Sequence, residues 1–235
     1  MQRLFRYVTK RSSLMFALFT MFLNFLGFTL LIPVIPFIVE KFVPSNNANL
    51  VGVYVGLLIS VYALCQFLSA PTLGLLSDRF GRRPILLISL LGTILGYLFL
   101  GFAGSMWMLF LGRIVDGLTG GNISTLYAYV ADVTEPHERG KLFGLLGAAG
   151  GVGFIIGPVV GGYVGAVHLF LPFFIGAVVV FVNLLWGYFV LPESLKVEHR
   201  VEKIEMSHLN PLYQFKSVLH MPSLKQIFLS GFLFP

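Results

Sequence analysis

Charged residues divide the chain into six apolar runs: Leu14–Val39, Val51–Leu76, Ile85–Ser105, Met106–Val130, Leu142–Val167 and Leu169–Leu191. About 20 apolar residues rising 1.5 Å each span the roughly 30 Å hydrocarbon core of a bilayer, so each run is long enough to cross. Lipid offers the backbone no hydrogen bonds, so each run is predicted to be helical. The third and fourth abut, with Ala103-Gly-Ser105 as the turn between them, and the fourth alone carries ionised groups, Arg113 and Asp116. A seventh apolar stretch starts near Ile227 and is not complete at Pro235. Between the sixth and seventh lies a mixed-charge segment, Glu193–Ser223, too long for a tight turn and too short for a folded domain. The pattern predicts an all-α membrane protein: a cytoplasmic N-terminus (1–13), a six-helix transmembrane bundle (14–192), a cytoplasmic linker (193–223) and the start of helix seven (224–235). That is the layout expected of the first half of a two-bundle protein.

Composition agrees. Hydrophobic residues make up 57% of the 235 and charged residues only 11%, less than half the roughly 25% of a soluble domain. One cysteine, Cys65, leaves no intramolecular disulfide and no cysteine-built metal site. The segment before Leu14 is basic and lacks a small-residue cleavage site, which predicts a retained first helix rather than a signal peptide. A net charge of +6 would suit nucleic acid, but its distribution says otherwise. Fourteen Lys and Arg residues fall on one side of the predicted bundle, Lys41 alone on the other, and Arg113 inside. Basic loops stay cytoplasmic, so the charge sets orientation, the N-terminus is expected in the cytoplasm of a cell (plasma or inner) membrane, and no nucleic-acid partner is implied. Three-His and Ser-His-Asp ingredients are scattered on loops or missing, so the sequence predicts neither an enzyme nor a cofactor or metal site.

Residues Gly74-Leu-Leu-Ser-Asp78-Arg79-Phe-Gly81-Arg82-Arg83-Pro84 follow the second run. Gly81 permits a backbone turn that a Cβ resists, and Pro84 is expected at the first position of the next helix. Asp78 among three arginines can form a charge-assisted network, or the string is simply a basic cytoplasmic loop that contains an acid. The string resembles the G-x-L-a-D-r-x-G-r-r-p loop of the major facilitator superfamily. The resemblance implies a cytoplasmic gate in which the aspartate engages loop arginines and a helix end of a second six-helix bundle, roles that fall to Gly74, Asp78, Arg79, Gly81, Arg82 and Arg83. Asp132 and Arg139, in the loop after the fourth run, resemble the D-x-x-x-x-x-x-R-g connection that meets this gate. The alternative there is a solvated, capped turn.

Arg113 and Asp116 are three apart and share a helix face. Ionised groups inside a span are costly and are functional candidates by default. A structural ion pair is the other reading. Arg113-Ile-Val-Asp116-Gly117 resembles the family's R-x-x-q-G motif, which implies proton coupling, with Asp116 standing in place of the usual glutamine. Gly117, Gly120, Gly121 and Ser124 continue a small-residue strip that lets a helix or a substrate approach. On the fifth run, Gly153, Gly157, Gly161 and Gly165 recur every four residues, a groove for close helix packing, and Pro158 adds a bend. Gly144, Gly153, Gly157, Pro158, Gly161 and Gly162 together resemble the motif of proton-driven antiporters, which implies export and an extracellular seal.

Leu191-Pro-Glu-Ser-Leu195 and the first run, with Asn24, Gly27, Pro33 and Pro36, resemble the tetracycline and multidrug efflux branch, which often has an acid where Asn24 stands. Asn24, Phe25, Phe28, Gln66 and Tyr127 are candidates to line an apolar cavity with a few polar anchors. The resemblance implies a proton-coupled exporter of a small, largely apolar compound, working by alternating access. Its partners would be protons, the substrate, the lipid bilayer and the C-terminal six-helix bundle. A sugar or metabolite carrier, and a half that does not transport, are the alternatives.

Overall fold

A computed structural model describes residues 2–43 and 48–201, with side chains from Arg11 onward except at Ala48 and His199. The predicted linker beyond residue 201 and the predicted start of helix seven lie outside the described residues. The elements are α1 (Gln2–Leu30), α2 (Ile35–Glu40), α3 (Ala48–Phe80), α4 (Arg82–Gly101), α5 (Met106–Gly120), α6 (Ile123–Val133), α7 (Pro136–Val167) and α8 (Leu171–Val190). A 3₁₀ turn, Val197–His199, follows. Helix α1 takes in residues 2–13, so the predicted N-terminal segment is continuous with the first crossing.

Five helices are long and apolar enough to cross a membrane. The remaining predicted crossing, Met106–Val130, is built from two shorter helices, α5 and α6, separated by Gly121 and Asn122. The first crossing is also interrupted. Its helix ends at Leu30, the chain turns through Leu31–Val34 and resumes as α2, whose first turn contains Pro36. Hydropathy reports only apolar length, so neither interruption changes the number of predicted spans.

Packing follows the small residues. Helix α7 lies along α1, α5 lies between α3 and α4, and α8 backs onto α4 and α1. A Cβ on Gly96 of α4 would stand 2.7 Å from the Asp116 Cβ and 3.0 Å from the Gly112 carbonyl oxygen of α5, so these two backbones meet almost directly. Buried Phe16, Leu86, Leu90, Leu126, Tyr129 and Phe173 fill the interior. Large apolar side chains face outward along α4 and α8 (Ile88, Leu91, Leu95, Val178, Phe181 and Val182), where lipid is the natural neighbour.

Candidate functional site

At the end of α3 the predicted loop is almost absent. Asp78 and Arg79 belong to the last turn of α3, Gly81 alone separates it from α4, and Arg82 is already the first residue of α4. Pro84 is therefore the third residue of that helix, two places later than expected. Gly81 has φ +104°, a region L side chains resist, which is why the corner is a glycine. Arg82, 8% exposed, is the hub. Its Nη1 lies 2.6 Å from Asp78 Oδ1 and donates to Ser77 Oγ at 2.6 Å, and its Nε donates to Asp132 Oδ2 on α6 at 3.2 Å. Arg83 turns away and donates to the Tyr188 carbonyl on α8 at 2.6 Å. Arg79 is exposed, its guanidinium 5.2 Å from the Phe80 ring centroid. Gly74 sits near Ser124, close enough that a Cβ would touch its hydroxyl at 3.7 Å. Arg139 lies on α7 and is not among the described hydrogen bonds of this network. Its Nε is buried without a hydrogen-bond partner.

The network has a member that the sequence reading left without a role. Glu193, just past α8, accepts hydrogen bonds from the backbone N–H groups of Arg82 at 2.8 Å and Arg83 at 3.3 Å. Ser194 Oγ donates to Asp132 Oδ2 at 3.0 Å. The signal in the sequence was the Leu191-Pro-Glu-Ser-Leu195 string; the pairing itself spans more than a hundred residues and has no local signature.

Arg113 and Asp116 do share a face, and neither is among the residues that line the cavity around Asn24 and Gln66. Arg113 is 1% and Asp116 4% exposed. The Arg113 Nε donates to the Leu58 carbonyl at 3.2 Å, its guanidinium lies 4.1 Å from the Tyr62 ring centroid, and Nη1 is 3.8 Å from Asp116 Oδ2. The pair is thus held between α3, α4 and α5 inside the bundle.

The break in the fourth crossing faces α3, and α3 supplies two of the missing hydrogen bonds. A helix that stops within the membrane leaves carbonyls without partners, which must be satisfied by protein. Gln66 Nε2 donates to the Gly120 carbonyl at 3.0 Å and Ser69 Oγ to the Gly117 carbonyl at 3.3 Å. In return, Ser124 Oγ donates to the Ala70 carbonyl at 3.2 Å. Gly117, Gly120 and Gly121 allow the approach: a Cβ on Gly121 would lie 2.7 Å from the Ala70 nitrogen. Above the break, Asn24 Nδ2 of α1 donates to the fully buried Asn122 at Oδ1, 3.1 Å away. Asn24, Phe25, Phe28, Tyr62, Gln66 and Ile123 line a cavity of about 110 Å³ here. Four of the five predicted cavity residues are therefore brought together. Tyr127 is not: its ring packs against Phe143 of α7, centroids 5.2 Å apart. Its choice as a polar group within an apolar run carried no information on which way it faces. Gly-Gly-Asn inside an apolar run was the available signal of that break.

The glycines of α7 separate into two groups. Gly153, Gly157 and Gly161 touch the backbone of α1 around Phe22, Leu26 and Leu30, with Gly157 placing a hypothetical Cβ 2.7 Å from the Leu26 carbonyl oxygen. Gly150, which the motif does not include, joins them against Phe25, and Gly165 continues the row against Val34. Gly144 and Gly147 face open space, so Gly144, part of the antiporter-like string, does not join this contact. Pro158 lies within α7, and Gly162 lines a cleft of about 570 Å³ with Pro33, Phe37, Lys41 and His168 at the far end of the bundle. That cleft holds none of the predicted cavity residues.

The fold is that of a multi-pass membrane bundle. Residues 17–235 match the Major Facilitator Superfamily, and the chain belongs to it. Tetracycline resistance protein, class C, of Escherichia coli is 42% identical over 205 residues, covering 87% of this chain and 50% of that protein. Multidrug resistance protein 2 of Bacillus subtilis (strain 168) is 34% identical over 180 residues, 76% of this chain and 44% of that one. The crystal structure of the human organic anion transporter MFSD10 (TETRAN) matches with a TM-score of 0.77 at 26% identity, covering 90% of this chain and 56% of that chain. The chain spans about half the length of the curated relatives it matches.

Proposed function

We propose that this chain forms the first bundle of a proton-coupled exporter of a small, largely apolar, drug-like compound. The N-terminus and the Asp78–Arg82–Asp132 network lie on the cytoplasmic side of the cell membrane, and the bundle rocks against a second six-helix bundle. The observation that carries this reading is the cavity at the break between α5 and α6, where phenylalanines meet the amides of Asn24 and Gln66. A discontinuous helix beside a polar-edged cavity is a substrate-binding arrangement in secondary transporters. Tetracycline and multidrug resistance proteins among the relatives support a drug-like substrate and the export direction. The buried pair Arg113 and Asp116, with Arg113 lying against Tyr62 of the cavity wall, are the candidates for proton coupling. Asp78, Arg79, Gly81, Arg82, Arg83, Asp132 and Arg139 form the cytoplasmic gate, and the α7 glycines with Pro158 hold α7 on α1 and seal the outer side.

Inside-out vesicles carrying this chain together with the second bundle of the class C relative test the reading. An acidic lumen should drive accumulation of a fluorescent tetracycline, and collapse of the proton gradient should abolish it. Accumulation indifferent to the gradient would remove proton coupling.

A further inference from the structure

We propose that Glu193 is a positioning residue for the gate, so that the first stretch of the cytoplasmic linker is a working part of the charge network rather than a tether. The inference rests on the gate reading above. Helix α4 begins at Arg82, and the first amides of a helix have no partner within it. Glu193 supplies one: Oε1 accepts from the Arg82 N–H at 2.8 Å and Oε2 from the Arg83 N–H at 3.3 Å. A carboxylate there also meets the positive end of the helix dipole. The corner is shaped for it. A Cβ on Gly81 would collide with Glu193 Oε2 and stand 2.7 Å from its Cδ, so a side chain at position 81 would strain the backbone and expel the carboxylate together.

Two further bonds lay the segment across the gate. Ser194 Oγ donates at 3.0 Å to Asp132 Oδ2, the same oxygen that accepts from Arg82 Nε at 3.2 Å. The Val201 N–H donates to the Asp78 carbonyl at 3.2 Å. Arg200 Nη2 stands 3.9 Å from Glu193 Oε2 and holds the carboxylate from its other side. Residues 193–201 thus touch Asp78, Arg82, Arg83 and Asp132 of the gate. The Arg82 guanidinium reaches both aspartates only while its backbone stays at the corner, and Glu193 holds that backbone. Displacing the linker withdraws Glu193 and Ser194 together and loosens Arg82.

The 235-residue chain in lipid nanodiscs suffices for the test. Glu193→Ala should raise amide hydrogen exchange at Arg82 and Arg83, and phenylglyoxal modification of Arg82, by about tenfold, the scale of a lost hydrogen bond to a charged group. Exchange across residues 153–161, on the far α1–α7 contact, should not change. Glu193→Gln keeps an acceptor and should recover most of the protection. In the paired vesicle assay Glu193→Ala should lower the maximal rate with KM unchanged. Unchanged exchange and unchanged Arg82 reactivity in Glu193→Ala overturn the inference, whatever transport does. A local increase in a chain whose wild-type pairing exports nothing leaves the positioning role standing and removes the export reading. Should Glu193→Ala also lose protection across residues 153–161, Ser194→Ala decides. It removes one bond to Asp132 and should raise Arg82 reactivity about threefold, and no change there overturns the inference.

Discussion

Asn24 on α1 donates a 3.1 Å hydrogen bond to Asn122, the residue at which the fourth crossing restarts. Asn122 is fully buried and its Nδ2 has no hydrogen-bond partner. Asn24→Leu would strand the Asn122 oxygen as well, at a cost of about 1–3 kcal/mol. A lowered unfolding midpoint for the chain in detergent is the expected result. Asn24→Asp, the acid common in the efflux branch, sets an acceptor against the Asn122 oxygen; a half-turn of the Asn122 amide brings its unpartnered Nδ2 round to donate, so this variant should be milder. An Asn24→Leu midpoint equal to wild type would show that the pair is dispensable.

Gly157 and Gly147 lie ten residues apart on α7 and should respond oppositely to alanine. At Gly157 the new methyl would lie 2.7 Å from the Leu26 carbonyl oxygen and 3.1 Å from the Leu30 nitrogen, so α1 and α7 must separate. At Gly147 it meets nothing within 4 Å, and the change should stay within about 0.5 kcal/mol. Thermal unfolding of both variants separates the two. Dye-reported proton flux at matched folded protein then asks whether the Gly157 variant also leaks, as a seal requires.

Asp116→Asn would remove the carboxylate 3.8 Å from the buried Arg113 Nη1, leaving the guanidinium its bond to the Leu58 carbonyl and its contact with the Tyr62 ring but no counter-charge. Removing one partner of a buried pair costs about 3–5 kcal/mol, so this variant should insert poorly. The double change Arg113→Leu with Asp116→Leu removes both charges and should recover folded protein. If it also recovers gradient-driven accumulation in the paired assay, the pair is structural and not part of coupling.

Asp78→Asn deletes the charge beside Arg82 Nη1 while leaving Asp132 and Glu193 in place. Membrane insertion should match wild type, and export by the paired protein should fall by roughly tenfold, the scale of a coupling free energy of 1–3 kcal/mol. Normal export would take Asp78 out of the gate.

Much of this architecture was legible in the sequence, for a physical reason. A crossing needs a fixed apolar length, so charged residues marked the ends of the runs reliably. The Gly81 turn and the pairing of Asp78 with Arg82 were legible because a turn with positive φ favours glycine and an acid among arginines finds a partner, whereas the one-residue length of the corner was not. Three features were not legible. The interruptions at Leu31–Val34 and Gly121–Asn122 leave hydropathy unchanged. Tyr127, chosen as a polar group within an apolar run, packs on Phe143 instead, because residue type alone does not say which way a ring turns. Glu193 escaped because its partners are backbone amides, which every residue but proline possesses, so no residue type marks them.

The corner at Gly81 leaves no slack between α3 and α4. With one residue as the joint, and a carboxylate filling the space where a longer turn would bulge, the two helices cannot slide past one another along their axes. Any tilt of α3 must therefore swing the first turn of α4, as one arm of a bent lever moves the other. The 33-residue α3 is about 50 Å long. A small rotation at its far end becomes a displacement of ångströms at Arg82, enough to open or close hydrogen bonds of 2.6–3.2 Å.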